Sequence, residues 1–397
     1  MKNPPELLAP AGDFESLRAA IHFGADAVYL GGPMLQMRSV STGFSEESLA
    51  EAIRLAHSRG VFVYVALNSL ATGPEVDKAG EYIRLLDSVG ADAVIVSDLG
   101  VLTAVKQAAP EMKVHISTQA SCMNYLAARR YYDMGAERII LARELDISGI
   151  ADIRAKTPPD LTLEAFVHGS MCMAYSGRCL ISAFLNSRSA NKGECSQPCR
   201  WQYHLMEHKR PGQYFEIEEN ESGTSILSSY DLCCIGMLGE LYAAGVGSFK
   251  IEGRMKSAYY VGTVTNAYRR AIDGGDTSAL RPELDCVSHR PYSEGFYHGA
   301  MKKGDVGCEG YEQTCLFAAN VQKGGRGIAL VRQRNRFSVG DALEIVSPKS
   351  LGLSFRVESI TDSDGNELIS ASTPMQEVRI NCPYELSEGD LLRIRVR

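Results

Sequence analysis

The chain has 397 residues, of which 45% are hydrophobic and 22% charged, and its net charge is −7. These values are ordinary for a globular protein, and the length suffices for one large domain plus a smaller one. They exclude a protein coated with basic surface for nucleic acid, although a local basic face is compatible with them. No apolar run is long enough to cross a bilayer, and residues 1–6 lack the apolar core of a signal peptide. We therefore expect a cytoplasmic protein without membrane association.

Short apolar runs alternate with helix-like stretches over the first two-thirds of the chain. Eight runs have the length and composition of strands: residues 6–10, 27–31, 61–67, 93–97, 113–117, 138–142, 161–166 and 248–252. Between the first two runs, Asp13 is a predicted helix N-cap and Gly24 a predicted stop. Eight strand–helix repeats over about 270 residues predict a TIM-like (β/α)8 barrel. A doubly wound open sheet is the alternative, but no glycine-rich phosphate turn follows the first run.

Polar residues follow the predicted strands, at the end where a parallel barrel carries its chemistry. The residues placed at this mouth are Asn68, Asp98, Thr118, Gln119, Arg143, Glu144, His168, Glu252 and Arg254. Helix capping and loop hydrogen bonding are the alternative roles for each of them.

The pattern changes after about residue 320 to short alternating runs, such as 327–331, 342–346 and 391–395, separated by turn residues. This pattern predicts a small all-β barrel or sandwich. We therefore predict three parts: a TIM-like barrel over residues 1–275, a connector over 276–320 and a small C-terminal β domain over 321–397.

The chain contains 11 cysteines, an odd number that a closed disulfide framework cannot use completely. Six lie on the segments around the seventh and eighth predicted strands: Cys172, Cys179, Cys195, Cys199, Cys233 and Cys234. Thiolates that converge at one barrel mouth favour a 4Fe–4S cluster. A zinc site, for which only Cys195 and Cys199 have knuckle spacing, and buried or catalytic thiols are the alternatives. The remaining cysteines are predicted to pack as small hydrophobic side chains: Cys122, Cys286, Cys308, Cys315 and Cys382.

Two stretches, residues 178–210 and 250–270, carry clustered Lys and Arg side chains that can hold a nucleic-acid backbone. A hydrolase would need an activated nucleophile, and His168 and His289 are candidate bases. However, the sequence has neither a Gly-x-Ser-x-Gly elbow nor a His-Glu-x-x-His zinc motif.

A long motif runs from Glu164 to Ser182 and reads Glu-x-Phe-x-x-Gly-Ser-Met-Cys-x4-Gly-x-Cys-x-Ile-Ser. At every specified position it resembles the signature of the collagenase-like peptidase family U32. Further stretches resemble the same family: residues 6–12, 27–32, 197–201, 249–256 and 287–292. The resemblance covers most of the chain, including the C-terminal β domain.

The resemblance implies an iron–sulfur RNA hydroxylase. Branches of the family hydroxylate wobble uridine in tRNA with prephenate as a required metabolite, hydroxylate a cytidine in 23S ribosomal RNA, or act in oxygen-independent ubiquinone synthesis. Length and the single C-terminal β domain make this chain most similar to the tRNA branch. A peptidase, a ribosomal RNA hydroxylase and a non-catalytic metal-binding accessory protein are the alternatives.

The resemblance also implies site residues. The implied cluster ligands are Cys172, Cys179, Cys195 and Cys233, with Cys199 or Cys234 as replacements for one of them. The predicted catalytic residues are His168, Glu252 and Gln119, and the predicted substrate-binding residues are Arg143, Lys250, Arg254 and Asn68. The Arg and Lys side chains would pair with the two carboxylates of a prephenate-like acid.

The expected partners are tRNA and a small dicarboxylate metabolite. Tyr175, Trp201 and Tyr203 are candidates for stacking the target base. The sequence is compatible both with a homo-oligomer and with a complex that contains a related partner subunit.

Overall fold

The structure is a computed structural model that describes residues 3–37, 43–172, 174–175, 177–201, 230–299, 311–325 and 327–396. Its chain divides into two compact units. One comprises Met1–Asp13, Asp26–Met255 and His289–Tyr311, and the other comprises Phe14–Ala25, Lys256–Ser288 and Glu312–Arg397. The boundaries predicted at residues 275 and 320 stay predictions.

Strands and helices alternate through the first 272 residues. The strands are β1 (Glu6–Pro10), β2 (Ala27–Gly31), β3 (Phe62–Leu67), β4 (Ala93–Val96), β5 (Lys113–Ile116), β6 (Ala136–Ile140), β7 (Thr162–Ser170), β8 (Asp231–Cys233) and β9 (Ser248–Ile251). The helices are α1 (Phe14–His22), α2 (Glu46–His57), α3 (Gly73–Ser88), α4 (Leu99–Ala108), α5 (Tyr125–Asp133), α6 (Ile147–Ala155), α7 (Ile181–Asn186), α8 (Leu238–Ala243) and α9 (Ala258–Ile272). Each of the eight predicted strands is therefore present, and α1 ends before Gly24 as predicted.

Eight parallel strands close into a barrel. β1 to β7 pair in chain order, and β9 pairs with both β1 and β7. In this register Leu8 of β1 lies beside Lys250 of β9, and Glu164 of β7 lies beside Ser248. Every residue of β2 and β4 is buried, as expected for strands covered on both faces. The predicted TIM-like barrel is confirmed.

A short extra sheet extends β7 at the carboxyl end of the barrel. β8 pairs antiparallel with the last residues of β7, and β10 (Tyr292–Ser293) pairs parallel with β8. A buried ion pair holds this extension, because Arg290 Nη2 lies 2.7 Å from Asp231 Oδ1. The extension places Cys233 beside His168.

The second unit contains an antiparallel sheet with its own core. Its further elements are α10 (Thr277–Leu284), β11 (Cys315–Lys323), β12 (Gly327–Gln333), β13 (Phe337–Ser338), β14 (Ala342–Val346), β15 (Ser354–Arg356), β16 (Ile360–Thr361), β17 (Ser370–Ala371), β18 (Glu377–Cys382) and β19 (Leu391–Arg395). Seven strands pair in the order β15-β14-β19-β11-β12-β18-β16. Their buried side chains, such as Val331, Ile345 and Leu392, form one hydrophobic cluster. The predicted C-terminal β domain is confirmed.

None of the helices in the described ranges is both long and apolar enough to cross a lipid bilayer.

Candidate active site at the barrel mouth

A cavity of about 160 Å³ opens at the carboxyl end of the barrel strands. Strand-end residues line it from below, and the segment that follows β7 lines it from above. Nine predicted site residues are among its lining: Asn68, Gln119, Arg143, Cys172, Cys179, Cys195, Lys250, Glu252 and Arg254. The cavity therefore brings together nine of the eleven predicted site residues, and their roles stay predictions.

A buried lysine forms the floor of the cavity. The Lys250 side chain is 5% exposed, and its Nζ lies 3.1 Å from Oε1 of the fully buried Glu164. Burial lowers the pKa of Lys250, and the neighbouring Glu164 charge acts in the opposite direction. The floor thus holds an ammonium group whose desolvation is offset only in part by the Glu164 carboxylate.

The ion pair continues down the barrel axis. Arg138 Nη1 lies 2.9 Å from Glu164 Oε2 and 2.6 Å from Glu6 Oε1. The Tyr64 hydroxyl donates to Glu6 Oε2 at 2.7 Å. Burial opposes the ionisation of Glu6, but the hydrogen bonds and charge of Arg138 outweigh it and lower the pKa of this carboxyl. The charges alternate from Glu6 to Lys250, so each buried ion has a partner.

Replacing Glu6 by glutamine should lower the free energy of unfolding at neutral pH by about 1–3 kcal/mol, because Arg138 would lose a charged partner. The folded-state pKa of Glu6 lies below its usual 4.5. Its contribution is therefore present above the unfolded-state pKa and is lost as the pH falls through the folded-state value. Urea denaturation of both proteins should show a difference that shrinks below pH ~4. Glu137→Gln is the matched control, because Glu137 is 55% exposed; an equal loss in both variants would contradict the prediction.

Two aromatic rings form the cavity walls around the cations. Lys250 Nζ lies 4.3 Å from the centroid of the Tyr29 ring, and Arg143 Cζ lies 4.6 Å from that of Phe166. The Tyr29 hydroxyl also donates to Glu252 Oε2 at 3.2 Å. Sequence reasoning assigned these rings no role in the site. The signal was available, since both lie within predicted barrel strands that end at the mouth.

Arg143 is held in a defined orientation at the side of the cavity. Its Nη1 donates to the Ser170 carbonyl at 2.7 Å. Its Nε is buried and has no hydrogen-bond partner within the described ranges. The same holds for Oε1 of Gln119, which also lines the cavity. Buried polar atoms without partners are costly, so these two atoms are suited to contact a bound molecule.

Four cysteines of the segment after β7 line the same cavity: Cys172, Cys179, Cys195 and Cys199. Hydrogen bonds hold the segment together, since Ser196 N donates to Ser182 Oγ at 3.0 Å and Asn186 Nδ2 donates to Ser196 Oγ at 2.6 Å. An ion pair of 2.8 Å between Lys192 and Glu75 fixes it to α3.

Gly177 allows this segment to approach the barrel closely. Its φ is +77°, and an added Cβ would lie 2.3 Å from the Gln119 carbonyl oxygen. Only glycine combines that backbone conformation with so close an approach. Gly177 therefore sets the distance between the cysteine segment and the strand ends.

Replacing Gly177 by alanine should displace the cysteine segment and reduce activity at least about 10-fold, because a shift of about 1 Å at a reacting site has effects of this order or larger. The far-ultraviolet circular dichroism should stay unchanged, since the barrel strands are not touched. Gly236→Ala is the control, because an added Cβ there meets no atom within 4 Å. Full activity of Gly177→Ala would contradict this account of the segment.

Two predicted site residues lie behind the cavity lining. Cys233 is 9% exposed and is the register partner of His168, which is 1% exposed. The His168 and Tyr292 ring centroids are 5.3 Å apart. The neighbouring Cys234 is fully buried, and burial raises the pKa of its thiol well above the usual range. Asp98, another predicted mouth residue, instead caps α4.

The cysteine segment is suited in donor type to an iron–sulfur cluster. Within the described ranges, no three His, Cys, Asp or Glu side chains are placed so that they already form a metal site. Four thiols nevertheless surround one cavity, and thiolates are the ligands that iron–sulfur clusters use. Cys172, Cys179, Cys195 and Cys199 could hold such a group at the cavity, whereas Cys233 is not among the residues that line it.

Two family profiles match the chain. Peptidase family U32 matches residues 12–306, and the Peptidase family U32 C-terminal domain matches residues 313–393. The chain belongs to peptidase family U32. The predicted resemblance is thereby confirmed, and the four cysteines that line the cavity lie within the part of this U32 protein that the first profile matches.

Curated relatives extend over nearly the whole U32 protein. The tRNA hydroxylation protein P of Escherichia coli (strain K12) is 34% identical over 98% of this chain and 96% of the relative. The tRNA hydroxylation protein P1 of Bacillus subtilis (strain 168) is 34% identical over 98% of this chain and 94% of the relative. The 23S rRNA 5-hydroxycytidine C2501 synthase of Escherichia coli (strain K12) is also 34% identical, over 91% of this chain but only 55% of that protein.

Proposed function

We propose that this U32 protein hydroxylates the wobble uridine of tRNA at C5, with an iron–sulfur cluster at the barrel mouth. The observation that carries the proposal is one cavity with a cationic floor below and four thiols above. The near-full-length similarity to tRNA hydroxylation proteins supports tRNA as the substrate.

Cys172, Cys179 and Cys195 hold the 4Fe–4S cluster in this proposal, with Cys233 or Cys199 as the fourth ligand. The group supplies one-electron redox chemistry when bound. Zinc is the less suited alternative, because structural zinc sites use paired knuckles and only Cys195 and Cys199 have that spacing.

The floor of the cavity binds a small dicarboxylate of the prephenate type. Arg143 presents a guanidinium edge, and the Lys250 ammonium lies between the Tyr29 and Phe166 rings. With Arg254 the lining carries three positive groups against the single carboxylate of Glu252. Such a site favours an anion with two charges, and the fixed partners of Lys250 reduce the reorganisation that binding requires.

The rim of the cavity receives the target base. Tyr175 is 53% exposed and lines the cavity from within the cysteine segment, and Trp201 is 42% exposed and follows that segment. Base stacking on such rings is tolerant of sequence, and the nearby Arg178 and Arg188 add charge for the backbone. Gln119 Oε1 then accepts a hydrogen bond from the uracil ring. Tyr203, the third predicted stacking residue, lies outside the described residues.

Mass spectrometry of tRNA nucleosides tests the proposal. The gene is expressed in a strain that lacks its own tRNA-hydroxylating U32 proteins, and 5-hydroxyuridine derivatives should then reappear. The same strain with the Cys172→Ala variant should yield none. An unchanged nucleoside profile with well-expressed wild-type protein would reject the function.

The alternatives are separated in the same samples. A ribosomal RNA hydroxylase would instead restore 5-hydroxycytidine in 23S RNA. This is the product for which the longer Escherichia coli relative is named. A peptidase would cleave peptides with an activity that copurifies with the chain and persists in Cys172→Ala. A metal-binding accessory protein would yield product only with a partner recovered in stoichiometric amount.

A further inference from the structure

Two buried cysteines meet in the second unit. The Cys315 thiol donates to Cys286 Sγ over 3.2 Å, and both residues are fully buried. Cys286 follows the end of α10, and Cys315 is the first residue of β11. Sequence reasoning predicted both as small packing residues. Their burial agrees with that prediction. Packing as small hydrophobic side chains, however, does not by itself require the two sulfur atoms to be in contact.

The surroundings of the pair favour a thiolate on Cys286. Arg395 Nη2 lies 3.8 Å from Cys286 Sγ, and Thr314 Oγ1 lies 3.6 Å from it. The hydrogen bond from Cys315 and the charge of Arg393 outweigh burial and lower the pKa of Cys286. Burial instead raises the pKa of Cys122 to about 11, so Cys286 differs from a buried thiol in ordinary packing.

The backbone around the pair is also fixed on both sides. Thr314 N donates to the Asp285 carbonyl at 3.0 Å, so the residues before the two cysteines are joined directly. The Tyr259 hydroxyl donates to the Cys286 carbonyl at 3.1 Å. A disulfide bond of about 2.04 Å therefore needs the two sulfurs to approach by about 1.2 Å.

We propose that Cys286 and Cys315 are a redox modification site, at which a small peroxide forms a reversible disulfide between the end of α10 and the start of β11. The Cys286 thiolate attacks one peroxide oxygen, the O–O bond breaks, and the leaving hydroxide takes a proton to become water. Cys315 Sγ then attacks the sulfenic acid on Cys286, the S–O bond breaks, and a second water leaves with the Cys315 proton. Two thiols are oxidised by two electrons and one hydrogen peroxide is reduced to two waters.

Peptide mapping of the full-length protein tests this proposal. Reduced protein is treated with one equivalent of hydrogen peroxide, alkylated and digested without reductant. The expected product is a peptide pair linked through Cys286 and Cys315, which dithiothreitol separates. Cys308 lies in the same tryptic peptide as Cys315. The Cys308→Ser variant should therefore still form the link, which would show that Cys315 is the cysteine bonded to Cys286. Wild-type protein in which Cys286 and Cys315 are alkylated to the same extent as Cys382 would overturn the proposal.

The variants give a second readout. In Cys315→Ser, oxidation should stop at a sulfenic acid on Cys286 that dimedone traps, whereas Cys382→Ser should form the disulfide like wild type. Oxidation should raise the unfolding temperature of wild type by roughly 5–10 °C, because the bond closes a loop of about 30 residues. The rise should be absent in Cys315→Ser and reversed by dithiothreitol; a rise of equal size in Cys315→Ser would overturn the assignment.

Discussion

Replacing Cys172 by alanine should leave a folded U32 protein that purifies without iron and sulfide and forms no hydroxylated uridine. Cys172 is exposed and lines the cavity with three other thiols, so its replacement would remove a proposed ligand without opening a hole in the core. A cluster with three of its four thiolates loses affinity and is readily released. Anaerobic purification, followed by iron and acid-labile sulfide assays and the visible spectrum, measures the loss independently of activity.

Cys382→Ala is the matched control for that variant. Cys382 is a buried residue of the C-terminal sheet, so its replacement should cost some stability but leave the iron content unchanged. Wild-type protein that contains no iron after anaerobic purification, or a Cys172→Ala variant with full iron content, would contradict the proposed cluster. Cys199→Ala and Cys233→Ala then identify the fourth ligand. If Cys233→Ala loses iron and Cys199→Ala keeps it, β8 must move toward the cavity when the cluster binds.

The barrel was predictable because each strand carries its own local signal. Parallel strands buried on both faces are continuous apolar runs, and eight such runs define the number of repeats. Four of them, 6–10, 27–31, 61–67 and 93–97, need only their apolar composition to be located, and the structure has strands at 6–10, 27–31, 62–67 and 93–96. The mouth was predictable for the same reason, since the position of a strand end follows from the strand.

The interior of the site was less predictable, because it depends on pairing between distant strands. Glu164 belongs to the family signature, yet only the register of β7 beside β9 explains why it is charged and fully buried. The ion pair with Lys250 joins residues that are 86 positions apart, and no local pattern indicates it. Cys199 illustrates the same limit, because its spacing fits a zinc knuckle while its position at the cavity depends on how the segment after β7 folds back.

Replacing Lys250 by methionine should weaken the binding of the prephenate-type acid by about 30- to 150-fold, because a charged hydrogen bond worth about 2–3 kcal/mol is lost. The variant should also be destabilised by about 3 kcal/mol, since Glu164 keeps Arg138 but loses one of its two buried cationic partners. Isothermal calorimetry with the acid and urea denaturation measure the two effects. In wild type, affinity for the acid should fall as the pH rises through the lowered pKa of Lys250, where the ammonium loses its proton.

A double variant separates binding from stability at this position. Adding Glu164→Gln to Lys250→Met removes the buried carboxylate that was left short of a partner, so part of the stability should return. Acid binding should not return, because the cavity floor still lacks its ammonium. Lys113→Met is the control, since Lys113 is 60% exposed and its only close carboxylate, among the described residues, is Glu137 at 4.0 Å. If Lys250→Met binds the acid like wild type, Lys250 serves only to neutralise Glu164, and Arg143 and Arg254 would have to bind the anion alone.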